Sequence, residues 1–269
     1  MDLVLRKGAF EGETHIVTGA GQGIGRAIAR RLAAHGAQLV LVDVDKGNLE
    51  RASNEIVDQG AIRPICAAID VTDERAVQDT VRRALEATGC INGVVNVAGI
   101  ARDARIIKKS YEEFKTVIAV HLHGTFLFMR EVAAQHWHAL FKENGNQPLA
   151  DGANRFIVNF SSVSARNGNV GQIDYTAAKG AIESATKTAA REFASYRARV
   201  NAIAPGPVNT PMLAAVGEGG IEAMSRATLV GRVADPEEIA ATVAAIADPQ
   251  LFGYTTGQVF AANGGMYLD

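Results

Sequence analysis

THIVTGAGQGIG (14–25) decides the fold. Its first half is a short β-rich apolar run. Its second half is a glycine-rich turn that opens a helical pattern, with Ile24, Ile28 and Leu32 on one face. Glycine at Gly19, Gly23 and Gly25, with Gln22 and Ile24 between them, lets backbone approach a diphosphate closely. A helix N-terminus adds unpaired N–H groups and a favourable dipole. A tight strand-to-helix bend accounts for the same glycines nearly as well, so the context of the turn carries the reading.

That context is an alternation of β-rich and helical segments. Beyond the first run come QLVLVD (38–43), RPICAAID (63–70), GVVNVAG (93–99), RFIVNFSS (155–162), ARVNAIAPG (198–206) and QVFAANGG (258–265). Several are apolar in succession, which suits strands covered on both faces. Helical periods separate them, as in Val77, Val81 and Leu85. The order predicts an α/β fold: a doubly wound, parallel, seven-stranded sheet of Rossmann type. No repeat, low-complexity tract or composition break marks a second domain, so residues 1–269 are expected to form one. NGNQPLADGAN (144–154) reads as a surface loop. The stretch from Pro205 to Arg232, with Gly217, Gly219 and Gly220, reads as a long irregular connection and a flexible lid over about 206–232.

Asp43 ends the second strand-like run, 24 residues after Gly19. A carboxylate there accepts hydrogen bonds from both ribose hydroxyls of an adenosine and repels a 2′-phosphate. A plain strand-end turn residue is the alternative. Gln22 stands where a basic residue would meet that phosphate, and Arg26, one turn inside the helix, points to solvent. The charge pattern therefore predicts NAD over NADP.

Composition narrows the class. The chain is 48% hydrophobic and 21% charged, with net charge −2, a mean hydropathy of +0.04 and a pI near 6.3. That is a globular balance without the basic footprint of a nucleic-acid binder. Cys66 and Cys90 are too few for a disulfide framework or a clustered thiolate metal site, so no metal is expected. MDLVLRKGAF lacks the long apolar core of a signal peptide. No run approaches 18 apolar residues, so no membrane association and a cytoplasmic location are expected.

In IDYTAAKG (173–180), Tyr175 and Lys179 lie four positions apart and so share a helix face. Alone, the pair fits a solvated face as well as a site. Together with TGAGQGIG, VNVAG (95–99), Ser162 thirteen residues before Tyr175, and PGPVNTPM (205–212), it resembles the short-chain dehydrogenases/reductases over almost the whole chain. The resemblance implies that Ser162, Tyr175 and Lys179 are the catalytic serine, tyrosine and lysine. Tyr175 is then the general acid/base, with a free pKa of about 10. A Lys179 ammonium at about 4 Å in an effective dielectric near 20 contributes about 4 kcal/mol, roughly three pK units. Ser162 orients the reacting oxygen. Ser161 and Ser164 stand at the wrong spacing.

The same resemblance assigns Asp70 and Val71 to the adenine, with Asp70 alternatively a cap for the helix near Asp73. It assigns Asn96, Ala98 and Gly99 to the turn beside the ribose, and Pro205, Gly206, Val208 and Thr210 to the nicotinamide carboxamide. Lys179 also bonds the nicotinamide ribose. Two positions depart from the family pattern. Val97 replaces a second asparagine. His121, in VHLHG (120–124), replaces an asparagine associated with a helix bend and a water-linked proton path. Histidine titrates near neutrality and can serve such a relay, or it can be a packed ring. His123 faces elsewhere and reads as structural.

GNVGQIDY (168–175) and NGGMY (263–267) resemble 3-oxoacyl-thioester reductases, and VHLHG resembles the (3R)-hydroxyacyl-CoA dehydrogenases. A 3-hydroxyacyl/3-oxoacyl thioester of coenzyme A or an acyl carrier protein is therefore the expected substrate. A cyclic, sugar-derived or steroid alcohol is the alternative, and a non-catalytic NAD(H) sensor a more remote one. Met212, Leu213, Ile221, Met224 and Leu229 offer the lid apolar surface, or pack as ordinary helix. Arg226 and Arg232 offer thioester phosphates a charge, or lie in solvent. The resemblance also implies a homotetramer in which two long helices, near 111–143 and 175–195, pair between subunits. Phe126, Phe128 and Met129 fit that surface or a buried core.

Overall fold

The structure, a computed structural model, describes residues 6–150, 152–214 and 216–268. The first five residues of MDLVLRKGAF lie outside them. Seven strands form one sheet: β1 (Thr14–Thr18), β2 (Gln38–Asp43), β3 (Ile65–Ala68), β4 (Gly93–Asn96), β5 (Phe156–Phe160), β6 (Arg199–Ile203) and β7 (Val259–Phe260). Their spatial order is β3-β2-β1-β4-β5-β6-β7, and every pairing is parallel. Each strand-like run of the sequence contributes one strand.

The unbroken apolar runs have a simple cause. Successive residues of a strand point to opposite faces, and here both faces are covered. Val17, Leu39, Leu41, Val95, Val158 and Ile203 enter one core. Their chain neighbours Ile16, Val40, Val42, Val94, Ile157 and Val200 enter the other. The first core packs under helices α1 (Gly23–Ala34) and α2 (Lys46–Asp58). The second lies under α3 (Glu74–Thr88), the long helix α4 (Tyr111–Glu143) and α5 (Ile173–Glu192). A further helix, α6 (Pro236–Ala247), returns to the first core beside α1. Gly93 is required for space: a Cβ there would lie 2.2 Å from the ring of Phe156, its partner across the sheet.

Helix α4 starts at a reciprocal cap between Ser110 and Glu113. Two π-helical turns, Ala119–His123 and Ala133–Trp137, interrupt it, and such turns often mark functional positions. By length and composition α4 could cross a membrane, with a mean hydropathy of 1.2 in its most apolar window, although no long apolar run was evident in the sequence. Its apolar residues serve the core: Val117, Phe128, Val132 and Trp137 are fully buried, and the Trp137 indole donates to the Ile91 carbonyl at 2.9 Å. Phe128 and Met129 are therefore core residues, whereas Phe126 is half exposed beneath the Arg130 guanidinium.

The 144–154 segment is a surface loop as expected, its described residues exposed except Leu149 and Asn154; Asn154 ties its end by bonding Glu13, the Ala247 carbonyl and Arg199. Two other expectations need correction. The connection from Pro205 to Arg232 is ordered more than its glycines implied, holding helices Pro211–Ala214 and Glu218–Ala227. Asp70 does not cap α3. Asp73 does, accepting from the Ala76 amide, while Asp70 closes a turn through the amide and hydroxyl of Thr72.

Candidate active site

The strand order reverses between β1 and β4, and parallel sheets bind ligands outside the carboxyl ends of the strands at such a point. A cavity of about 390 Å³ opens there. Its wall includes Gly19, Gln22, Gly23, Ile24 and Gly25 from the glycine turn, Asp43, Asp70 and Val71 beyond β2 and β3, and Ala98 and Gly99 beyond β4. The turn is built for close approach. Gly19 has φ +64°, and a Cβ on Gly25 would stand 2.0 Å from the Gly19 carbonyl oxygen. The Asp43 carboxylate accepts from the Gly21 amide at 2.9 Å and from the Asp45 amide at 3.1 Å. Each oxygen keeps a further lone pair for a ligand hydroxyl. These features fit an adenosine diphosphate half of a dinucleotide.

A second cavity, about 250 Å³, adjoins the first and shares Ile24, Val97, Gly99, Thr210 and Met212 with it. Ser162, Tyr175, Lys179 and His121 all reach this one, and Pro205, Gly206 and Val208 line it too. Among the expected site residues, Asn96 alone lines neither cavity. It is buried, and its amide donates to Asn159 Oδ1 at 2.9 Å. The turn bond forfeited at Val97 has a substitute, since the Thr18 hydroxyl accepts from the amides of Val97 and Ala98 at 3.0 and 3.1 Å.

Ser162 follows β5, and Tyr175 and Lys179 lie on the first turns of α5. The Ser162 hydroxyl accepts from the Ser164 amide at 3.2 Å and favours ionisation of the Tyr175 phenol. Lys179 is 4% exposed; its Nζ donates to the Phe160 carbonyl at 2.6 Å and stands 5.5 Å from the centre of the Tyr175 ring. The electrostatics differ from the expectation of a phenol acidified by its ammonium neighbour. Enclosure by protein pushes the Tyr175 pKa up, Ser162 works against that rise, and the Asp103 carboxylate adds to it. Burial also depresses Lys179, from 10.5 to about 7. In this cavity desolvation outweighs attraction.

His121 sits in the first π-helical turn of α4 and is 2% exposed. Its ring meets Tyr175 edge-on at 5.1 Å. Its Nε2 lies 2.8 Å from the Ile100 carbonyl oxygen and 3.1 Å from the Ile100 amide nitrogen, while Nδ1 is buried without a partner. Gly99 must be glycine beside it, because a Cβ would fall 2.2 Å from His121 Cε1. Burial, and then the Lys179 charge, lower the His121 pKa to about 3. The ring is thus neutral across the physiological range, and titration near neutrality does not apply. His123 is exposed.

From the lid, Met212, Leu213 and Met224 line the cavity as expected, joined by Val216; Ile221 and Leu229 do not. Arg226 pairs with Glu222 and Arg232 with Glu238, so both cations are engaged within the protein. Asp103, Gln172 and Met266 complete the wall. Sequence reading passed over all three. Asp103 lies four residues beyond Gly99 and Gln172 three before Tyr175, so proximity to known motifs was the available signal. Met266 had none. Among the described residues no group of three or more His, Cys, Asp or Glu side chains is placed to hold a metal ion.

A family model described as Enoyl-(Acyl carrier protein) reductase matches residues 19–267. The chain belongs to the short-chain dehydrogenase/reductase family. It is therefore an oxidoreductase of a family that uses a nicotinamide cofactor. Within this family, the chain is 40% identical over 257 residues to the short-chain reductase protein NovJ of Streptomyces niveus, covering 93% of this chain and 92% of that one. It is 34% identical over 267 residues to the human (3R)-3-hydroxyacyl-CoA dehydrogenase, covering 94% and 95%. The solved structure of 3-ketoacyl-(acyl-carrier-protein) reductase from Brucella melitensis complexed with NADH superposes with a TM-score of 0.83 at 32% identity, covering 96% of this chain and all of that one.

Proposed function

We propose that the protein is an NAD(H)-dependent oxidoreductase that interconverts a secondary alcohol and a ketone on a 3-hydroxyacyl/3-oxoacyl thioester. One observation carries this reading: Ser162, Tyr175 and Lys179 meet in an apolar cavity that joins the glycine-turn cavity ending at Asp43. Gly19, Gly23, Gly25 and Asp43 would hold the adenosine half of the cofactor, and Val208 and Thr210 the nicotinamide end. When bound, the nicotinamide accepts or supplies a hydride.

The chain's own residues handle the proton and the geometry. Tyr175 gives a proton to the carbonyl oxygen in reduction and takes it back in oxidation. Ser162 holds that oxygen beside the phenol. Lys179, anchored on the Phe160 carbonyl, supplies hydrogen bonds to the cofactor ribose. His121, neutral and fixed on Ile100, sets the Tyr175 ring and the 99–100 turn. The segment 206–232 acts as the substrate lid, through Met212, Leu213, Val216 and Met224. Asp43 selects NAD, because its carboxylate repels a 2′-phosphate. Relatives named for 3-hydroxyacyl-CoA and 3-ketoacyl-(acyl-carrier-protein) substrates support the thioester. The reading includes a cytoplasmic homotetramer with α4 and α5 pairing between subunits; a monomeric mass in solution refutes that assembly.

The test follows nicotinamide absorbance with purified protein, pairing NADH or NADPH with acetoacetyl-CoA or a cyclic ketone. Faster NADH oxidation with the thioester is the expected result. Turnover of the cyclic ketone alone overturns the substrate class, and a preference for NADPH overturns the role of Asp43.

A further inference from the structure

The loop after β4 carries the charge that faces the substrate cavity. Among the described residues lining that cavity, only Asp103 and Lys179 have ionisable side chains of full charge, and Lys179 lies buried against the Phe160 carbonyl. Asp103 is thus the solvent-reached charge on the wall. Both of its carboxylate oxygens accept from the Gln172 amide, at 3.2 and 3.0 Å.

The loop is fastened to the start of α5, so this carboxylate has a fixed place relative to Tyr175. The Ala104 amide donates to the Gly171 carbonyl at 2.9 Å. Lys109 Nζ lies 2.8 Å from Asp174 Oδ2 in an ion pair whose side chains are only 3% and 2% exposed, and it also donates to the Arg102 carbonyl. Asp174 directly precedes Tyr175 and accepts from its amide at 2.9 Å. A buried pair of this kind is costly to break from one side, which makes it a firm anchor. Arg102, Arg105 and Lys108 are exposed and absent from the wall. The loop is acidic toward the cavity and basic toward solvent.

We propose that Asp103 is a specificity-determining residue that admits substrates uncharged near the reacting carbonyl and rejects free carboxylates. A free 3-oxo acid would place its anion in an apolar cavity beside an acidic neighbour, where the Lys179 amine is taken up by the Phe160 carbonyl. An ester or thioester of the same acid escapes that penalty, and the charged part of a carrier stays outside, at the basic face of the loop. This inference rests on the ketone reduction assigned above.

The experiment compares acetoacetate with methyl acetoacetate as oxidants of NADH, using the full-length protein, and reads the ratio of the two kcat/KM values. Taking the ratio cancels any common effect on Tyr175 or on folding. Wild type is expected to favour the ester. Asp103→Asn should raise the anion-to-ester ratio about fivefold, the scale of one partly exposed charge, and Asp103→Glu should leave it within about twofold of wild type. Added salt should shrink the difference between wild type and D103N. An unchanged ratio in D103N, an equal rise in D103E, or a wild-type preference for the free acid overturns the proposal while leaving the ketone reductase reading intact. Turnover of neither compound, nor of acetoacetyl-CoA, overturns both.

Discussion

Replacing Lys179 by Met should stabilise the cofactor-free protein at low pH while abolishing turnover. The magnitude follows from the burial of the ammonium, which lowers its pKa from 10.5 to about 7. That interval corresponds to about 5 kcal/mol against the charged form. The sign is fixed by linkage: between about pH 7 and 10.5 the unfolded chain binds the proton that the folded chain has released, so wild-type stability rises through that window. Below it the full penalty is present. Methionine removes the penalty but leaves the Phe160 carbonyl without its 2.6 Å donor, a loss of about 1.5–3 kcal/mol. The net gain at pH 6 is about 2–3 kcal/mol, or roughly 4–5 °C in melting temperature for a chain of this size. The gain should vanish near pH 8 to 9 and reverse above it, as wild type sheds its ammonium but keeps its hydrogen bond. Thermal and urea unfolding of both proteins from pH 6 to 9.5, without cofactor, measures this. A K179M protein less stable at pH 6, or a difference constant across the range, would refute burial as the dominant influence on Lys179.

Tyr175→Phe should lower kcat by about 10²–10⁴-fold, the scale of a lost general acid, with NADH affinity by fluorescence titration little changed. Asp43→Ala should shift the NADPH-to-NADH ratio of kcat/KM upward by at least about tenfold, since one unit of carboxylate–phosphate repulsion and two ribose hydrogen bonds disappear; an unchanged ratio removes Asp43 from cofactor choice. His121→Asn should leave the shape of the kcat/KM profile between pH 5 and 8 unchanged, because the His121 pKa of about 3 lies below that range. A wild-type limb in that interval that vanishes in H121N would show that His121 titrates there.

The sheet was legible because each strand is short, apolar and buried on both faces, a pattern that leaves little room for helix. The glycine turn was legible for a different reason. Steric demand at Gly19 and Gly25 excludes every side chain, and such exclusion is written directly in the residue type. Contact across loops left no such mark. Asp103 reaches the cavity because the 101–109 loop is pinned to Gly171 and Asp174, and Met266 because the chain's last turn folds back on the site. Helical order in the 205–232 connection was also hidden, since glycines at 217, 219 and 220 weaken the local signal that tertiary packing overrides.

Spacing specified which groups meet, but not their protonation. Tyr175 and Lys179 are one helical turn apart, so their adjacency was readable from eight residues. Their acidity depends on enclosure by Val97, His121, Phe160 and Pro205, which come from four other segments of the chain. Coulomb attraction falls off with distance in any medium, whereas desolvation grows with every wall added. With the walls in place the phenol becomes a weaker acid and the lysine a weaker base, the opposite of what the bare pair implied for the tyrosine. Ser162 is the group that pulls Tyr175 back toward ionisation. The serine therefore has two tasks in this site: it orients the reacting oxygen, and it partly restores the acidity that burial removes.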